Sequence, residues 1–193
     1  MVDREGVREK ILGEARNIFS QFGFRKTTME EIAQAARKGK SSIYYYFTSK
    51  EDIFKAVVEK EAKMLQEAIS RATADIEDPV EKLKKHILVR METFKDLANF
   101  YAAIKSEYLS HLEFIEKIRI KYDQDEMNRV EKILQEGVRN GEFRIDDTRL
   151  ASVAIVTAMK GMEIPLFWEE NNTNTGRRLD EILNILFYGI IKR

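Results

Sequence analysis

The chain has 193 residues, 44% of them hydrophobic and 34% charged, with 33 Lys/Arg balancing 33 Asp/Glu. That is the composition of a soluble globular protein, with room for one large or two small domains. It contains no Cys, which excludes disulfides, thiolate catalysis and Cys-based zinc sites, and only 2 Pro and 9 Gly, which favours long helices over a sheet protein.

The predicted elements are all helical. In the first helix, Val7, Ile11, Ala15, Ile18 and Phe22 form an apolar stripe that Phe19 widens, and Gly23 ends it as a C-terminal cap. The charged start, MVDREGVREK, does not read as a signal peptide. A second helix begins at Thr28, whose hydroxyl can form a capping box with Glu31; Thr27 with Glu30 offers the same box one residue earlier. Met29, Ile32, Ala33 and Ala36 follow at helical spacing until Arg37-Lys38-Gly39 breaks the pattern. Ser41 and Ser42 are expected to cap a short helix running to about Phe47. Ser49, with Asp52 three residues later, starts the next.

That next helix carries Ile53, Val57, Val58, Ala62, Leu65 and Ile69, and leads from the N-terminal module toward the rest of the chain. Asp78-Pro79 opens another, with Val80, Leu83, Ile87, Met91 and Phe94 on one face. Phe100, Tyr101, Ile104 and Tyr108 mark residues 98–110. A further helix from about Phe114 to Asn140 shows Ile115, Ile118, Tyr122, Met127, Val130, Leu134 and Val138, and stops at Gly141. From Leu150 to Trp168 the only charges are Lys160 and Glu163, and Pro165 is expected to bend or end that helix. The last helix carries Leu179, Ile182, Leu183, Ile185, Leu186, Phe187, Ile190 and Ile191.

A helix without a polar face must be covered on both sides. The last two helices are therefore expected to form a four-helix homodimer interface through Val153, Thr157, Gly161, Ile182, Leu186 and Ile190. Gly161 permits close backbone approach; the alternative is a buried central helix in a monomer. The longest uncharged runs, Leu150–Met159 and Ile182–Ile191, are about ten residues, short of the ~20 that cross a bilayer. A cytoplasmic protein is expected.

The short third helix carries the functional signal. At 100° per residue, Ile43 and Phe47 share one face, the natural anchors against Ile32. Ser41 and Tyr45 point the opposite way, with Tyr44 and Tyr46 flanking them. These aromatics fan over most of a turn, so a small module cannot bury them all. Hydroxyls can bond base edges or phosphates, and an aromatic can touch a thymine methyl in the major groove. Arg37, Lys38, Lys40 and Lys50 bracket the helix with positive charge. Residues 1–50 hold ten bases and six acids, a net +4, which leaves −4 on the remainder of a neutral chain. A basic head on an acidic body fits a protein that meets DNA at one end.

The segment Thr27-Thr28, Ile32-Ala33, Ile43-Tyr44-Tyr45-Tyr46-Phe47 and Lys50 resembles the helix-turn-helix of the TetR family of bacterial transcriptional regulators. The resemblance covers about the first 60 residues; the remainder is similar only in length and helical pattern. It implies that Thr28 and Lys50 hold phosphates, that Lys40, Ser41, Ser42 and Tyr45 face bases, and that Tyr44 and Tyr46 touch backbone or groove wall. The turn departs from the family pattern of Gly, an apolar residue and Ser: here stand Arg37, Lys38 and Gly39. Arg37 is expected to take a left-handed conformation, at roughly 1 kcal/mol, and Lys38 to add a phosphate contact.

The expected architecture is all-α: a three-helix DNA-binding domain over residues 1–52, then a larger helical effector-binding and dimerisation domain over 53–193. The expected function is a sequence-specific regulator, a repressor released from a palindromic double-stranded operator by a small hydrophobic effector, acyl-chain or aromatic. A two-fold dimer would set two reading helices about one DNA turn apart. Met91, Phe94, Tyr101, Ile104, Tyr108 and Trp168 are candidate walls of the effector pocket. No G-x-S-x-G, P-loop or G-x-G-x-x-G occurs, so no enzyme is expected. Leu83 and Tyr108 stand where a Glu-x-x-His pair with His86 or His111 needs Glu, so neither metal nor cofactor is expected. Two alternatives remain: an effector-free, architectural DNA binder, and an all-helical lipid- or small-molecule-binding protein with a vestigial DNA-binding module.

Overall fold

The computed structural model describes residues 3–94, 97, 113–167, 181 and 183–185. All regular structure among them is helical, as the sequence predicts. Seven long or short helices are described in full: α1 (Arg4–Lys26), α2 (Met29–Ala35), α3 (Lys40–Tyr46), α4 (Lys50–Thr73), α5 (Pro79–Phe94), α6 (Glu113–Asn140) and α7 (Thr148–Phe167). The chain divides into two compact units, Met1–Gln66 with Asp96–Lys121, and Glu67–Lys95 with Tyr122–Arg193.

In the first unit, the Asp3 carboxylate caps α1 by accepting from the Gly6 N–H at 2.9 Å. Ile11, Leu12, Ala15 and Phe19 form its buried stripe. The expected end of that stripe is corrected: Phe22 is 53% exposed and Phe24 is buried instead. The cause is Gly23, which leaves helical geometry at φ 78°, ψ 161° and resets the side-chain register. Phe24 thereby reaches Phe19 and Phe54, with ring centroids 6.0 and 4.9 Å away, and Phe54 meets Phe19 edge-on at 5.0 Å. Such a triad adds specific geometry to the burial of three large rings.

Helix α4 starts with reciprocal bonds. Ser49 Oγ accepts from the Asp52 N–H at 3.1 Å, and Asp52 accepts from the Thr48 N–H at 3.2 Å. Ile53, Val57, Val58, Ala62, Leu65 and Ile69 are buried as the periodicity predicts, and Phe54, which it did not single out, is buried with them. Glu61 is buried on the same helix and accepts from Arg16 Nε at 2.8 Å, which ties α1 to α4.

In the second unit, Asp78 caps α5 through the Val80 N–H at 2.8 Å, with Pro79 in the first helical position. Leu83, Ile87 and Met91 of α5 pack with Val130, Ile133 and Leu134 of α6, Ile155, Val156 and Met159 of α7, and Leu183. Helix α6 ends at Gly141, φ 79°, as expected. There the Glu142 N–H reaches Gly137 O at 2.8 Å and the Gly141 N–H reaches Val138 O at 3.2 Å, the paired bonds of a Schellman cap. Gly137 also lies under the Phe143 ring, where a Cβ would come within 2.1 Å of Cδ2. Val138, expected on the apolar stripe, is exposed, and Gly137 holds the inward position. Helix α7 is capped by Asp147, which accepts from the Leu150 N–H at 2.8 Å. It runs two residues beyond Pro165 to Phe167, so the proline does not end it.

Candidate nucleic-acid interface

The helix-turn-helix is built from α2, its turn and α3. Thr28, rather than Thr27, caps α2: its Oγ1 accepts from the Glu31 N–H at 3.3 Å, and Glu31 Oε2 accepts from the Thr28 N–H at 2.8 Å. The Thr28 hydroxyl also donates to Glu31 Oε2 at 2.9 Å. Its proton is thus used inside the cap, and a phosphate contact through that hydroxyl requires giving up this bond. Thr27 is buried and donates to Gly23 O at 2.9 Å, which braces the α1 kink.

The turn closes as a Schellman motif. Arg37 N–H reaches Gln34 O at 3.0 Å and Lys38 N–H reaches Ala33 O at 2.9 Å. This geometry requires a left-handed residue after the cap, and Arg37 takes it at φ 54°, as expected from the departure in sequence. Gly39 then turns extended and caps α3 through its carbonyl, which accepts from the Ser42 and Ile43 N–H groups at 2.9 and 3.2 Å. Ser41 and Ser42 are corrected accordingly: they sit in the first turn of α3 and make no capping bond.

Helix α3 presents two opposite faces. Ile43 and Phe47 are buried; Tyr45 is 63% exposed, with Tyr44 and Ser41 exposed beside it and Tyr46 and Ser42 half-buried at the flanks. Tyr45 and Tyr46 meet edge-on, 5.0 Å apart. Lys38 and Lys50 are half-buried, and Lys50 Nζ lies 4.4 Å from the Phe24 ring centroid. Lys40 is exposed and ion-paired with Glu30 of α2. The hydrogen bond to Lys40 holds the Glu30 carboxyl below its usual range, and the same bond raises the Lys40 ammonium above its own.

Three neighbours of this face were not anticipated. Arg4 Cζ lies 5.6 Å from the Tyr45 ring, Arg8 Cζ lies 5.2 Å from the Phe47 ring, and Glu30 holds Lys40. Each pairs residues on different helices, so no local spacing announces it.

The second unit holds the other expected sites in part. Met91 is buried in the α5–α6–α7 core. Phe94 ends α5, and its side chain, with Tyr101, Ile104, Tyr108 and Trp168, lies outside the described residues. The same holds for Ile182, Leu186 and Ile190, whereas Thr157 and Gly161 are exposed and Val153 half-buried on α7. A cleft of about 490 Å³ is lined, among the described residues, by Ile76, Glu81, Lys84, Lys85, Leu88, Leu183 and Asn184. The sequence also gave no sign of a buried ionic cluster between α5 and α6. Arg90 Nε donates to Glu126 Oε1 at 2.5 Å, and His86 Nε2 stands 3.5 Å from the same oxygen. Burial alone would raise Glu126, but the Arg90 charge and the adjacent His86 outweigh it and hold the carboxyl down to about 2. Among the described residues no group of His, Asp and Glu is arranged to hold a metal ion.

The sequence matches two family models, "Bacterial regulatory proteins, tetR family" over residues 11–57 and "QacR-like protein, C-terminal region" over residues 76–192. It is 28% identical over 189 residues to the HTH-type transcriptional regulator QacR of Staphylococcus aureus, spanning 96% of this chain and 99% of that protein. The fold is similar to that of the transcriptional regulator FadR of Bacillus subtilis, solved with stearoyl-CoA (TM-score 0.77, 22% identity, 95% and 99% of the two chains). It is also similar to that of AibR, solved with isovaleryl coenzyme A and operator DNA (TM-score 0.71, 18% identity, 94% and 98%). With one model covering the reading module and another most of the remaining chain, this protein belongs to the TetR family of DNA-binding transcriptional regulators.

Proposed function

We propose that the protein is a repressor that binds a palindromic operator as a two-fold dimer and is released by a small hydrophobic effector. The observation that carries the DNA-reading part is α3: Ile43 and Phe47 anchor it from beneath while Tyr45 stands 63% exposed on the opposite face. Lys38, Lys40 and Lys50 flank that face, and Thr28 begins the supporting helix. Positive charge positions such a helix on the phosphates, and the outward side chains select the bases.

Dimerisation is supported by α7. Leu150, Ala154, Thr157, Ala158 and Gly161 are exposed at helical spacing, opposite the buried Ser152, Ile155, Val156 and Met159. Leu150 is 66% exposed, and an apolar face of this length calls for a partner. The hydrophobic effector is supported by the acyl-coenzyme A ligands in the FadR and AibR structures. Met91, Phe94, Tyr101, Ile104, Tyr108 and Trp168 remain its proposed contacts. An effector of this kind releases DNA only by binding the DNA-incompetent state more tightly. Among the described residues no helix is long and apolar enough to cross a membrane; the proposed DNA-binding role supports a cytoplasmic location.

The test is to select operator duplexes from a random library with the full chain, then to titrate acyl-CoA thioesters into the complex. Enrichment of a palindrome, loss of preference at one or two base pairs in Tyr45→Ala, and release by a thioester support the proposal. A library that remains unenriched removes the DNA-reading function. An operator held equally well at saturating thioester removes the acyl effector.

A further inference from the structure

We propose that Arg4 is a specificity-determining residue that fixes the Tyr45 ring in its reading position and donates to a backbone phosphate beside the base pair Tyr45 faces. Resting on the DNA-reading function above, the inference adds a contact from α1, outside the helix-turn-helix.

Arg4 is the first residue of α1, and its backbone is fixed by the Asp3 cap rather than left in a loose arm. Its guanidinium lies 5.6 Å from the Tyr45 ring centroid. The Tyr45 ring also meets Tyr46 edge-on, at 5.0 Å and 85°. Two neighbours from two helices thus restrain the most exposed large aromatic of the module. One turn further along α1, Arg8 lies 5.2 Å from the Phe47 ring, so both arginines face the C-terminal half of α3.

The chemistry of the two arginines differs. Arg8 has Glu9 at 3.8 Å, whereas Arg4 forms no hydrogen bond or ion pair with any described residue. A guanidinium held over a ring by its charge keeps its N–H donors, in a fork that suits a phosphate. A lysine at this position keeps the charge but loses the planar fork. Immobilising Tyr45 before binding also removes an ordering cost that a freely rotating ring would bear on contact with a base.

The experiment uses the operator selected by the wild-type chain and measures Kd against salt for wild type, Arg4→Ala and Arg4→Lys, on that operator and on variants at the Tyr45 base pair. Arg4→Ala is expected to weaken binding on the order of tenfold, to lower the salt slope by about one, and to flatten the preference at that base pair. Arg4→Lys should restore the slope and leave the preference flattened. Because Arg4 is exposed, thermal unfolding should not change. A wild-type slope and preference in Arg4→Ala would overturn the assignment while leaving the DNA-reading function intact, and full recovery of preference by Arg4→Lys would overturn the role of the guanidinium at the ring. Failure of the wild type to select any operator overturns both the function and this inference.

Discussion

Lys40 at the start of the reading helix is ion-paired with Glu30 of the preceding helix, both side chains exposed. The pair crosses the helix-turn-helix and places a carboxylate beside the proposed DNA-reading face. Any contact from Lys40 to DNA has to compete with Glu30.

Glu30→Gln should therefore tighten operator binding and steepen its salt dependence. The resemblance turns Lys40 toward the bases, and a freed ammonium that also neutralises one neighbouring phosphate adds about 0.9 to the slope of log K against log salt. A fluorescence-anisotropy titration at several salt concentrations reads both quantities. An unchanged slope would mean that Lys40 does not reach the backbone.

Arg37 provides a test on stability. It occupies a left-handed position at φ 54°, and the matching cap of α6 uses Gly141 at φ 79°. Arg37→Gly should raise unfolding stability by about 1 kcal/mol, the order of cost for a side chain in that region. Urea denaturation measures it; a loss of stability would show that the Arg37 side chain contributes more than its backbone strain costs.

Lys50 Nζ lies over the Phe24 ring, 4.4 Å from its centroid, and is proposed to hold a phosphate. Lys50→Ala should weaken all duplex sequences alike and lower the salt slope by about one. It should also cost on the order of 0.5–1 kcal/mol of stability through the lost cation–π contact. A change in base preference at constant slope would sink the phosphate assignment.

Glu126 makes the second unit sensitive to acid. Its carboxyl titrates at about 2 in the folded chain, against an ordinary 4.5. A depressed carboxyl contributes stability that is fully present above the ordinary value and lost as pH falls from there through the folded value. Unfolding should thus become easier between pH 4.5 and about 2. Glu126→Gln should flatten that dependence and destabilise the fold at neutral pH, because the amide keeps the shape but loses the carboxylate's charge toward Arg90 and His86. Thermal melts across that window decide it; identical pH profiles for the two proteins would contradict the assignment.

The α7 face predicts an oligomeric outcome. Gly161 is exposed, and open space surrounds the position of an added Cβ. Gly161→Arg should therefore leave the protomer folded but disrupt a dimer formed through this face, with loss of operator affinity. Sedimentation velocity on both proteins gives the answer; a dimer that persists in the variant would place the interface elsewhere.

What the sequence determined by itself is the set of features whose causes lie within a turn or two of chain. The Thr28–Glu31 box and the buried Ile43–Phe47 face follow from spacings of three or four residues, the stop at Gly141 from the glycine itself, and the left-handed Arg37 from what the family resemblance implies for the turn; each is present in the fold. Ser41 and Ser42 suit a cap by residue type, but the Schellman turn delivers Gly39 to that position. Phe22 was misread as core because helical periodicity was carried one residue too far, up to a glycine that resets it. Only the tertiary structure decided which distant groups meet: Arg4 with Tyr45, Glu30 with Lys40, Lys50 with Phe24, and Arg90 with Glu126. Local propensity acts through backbone geometry repeating every 3.6 residues, whereas these pairs depend on how whole helices pack, and packing angle and depth are written in no single segment.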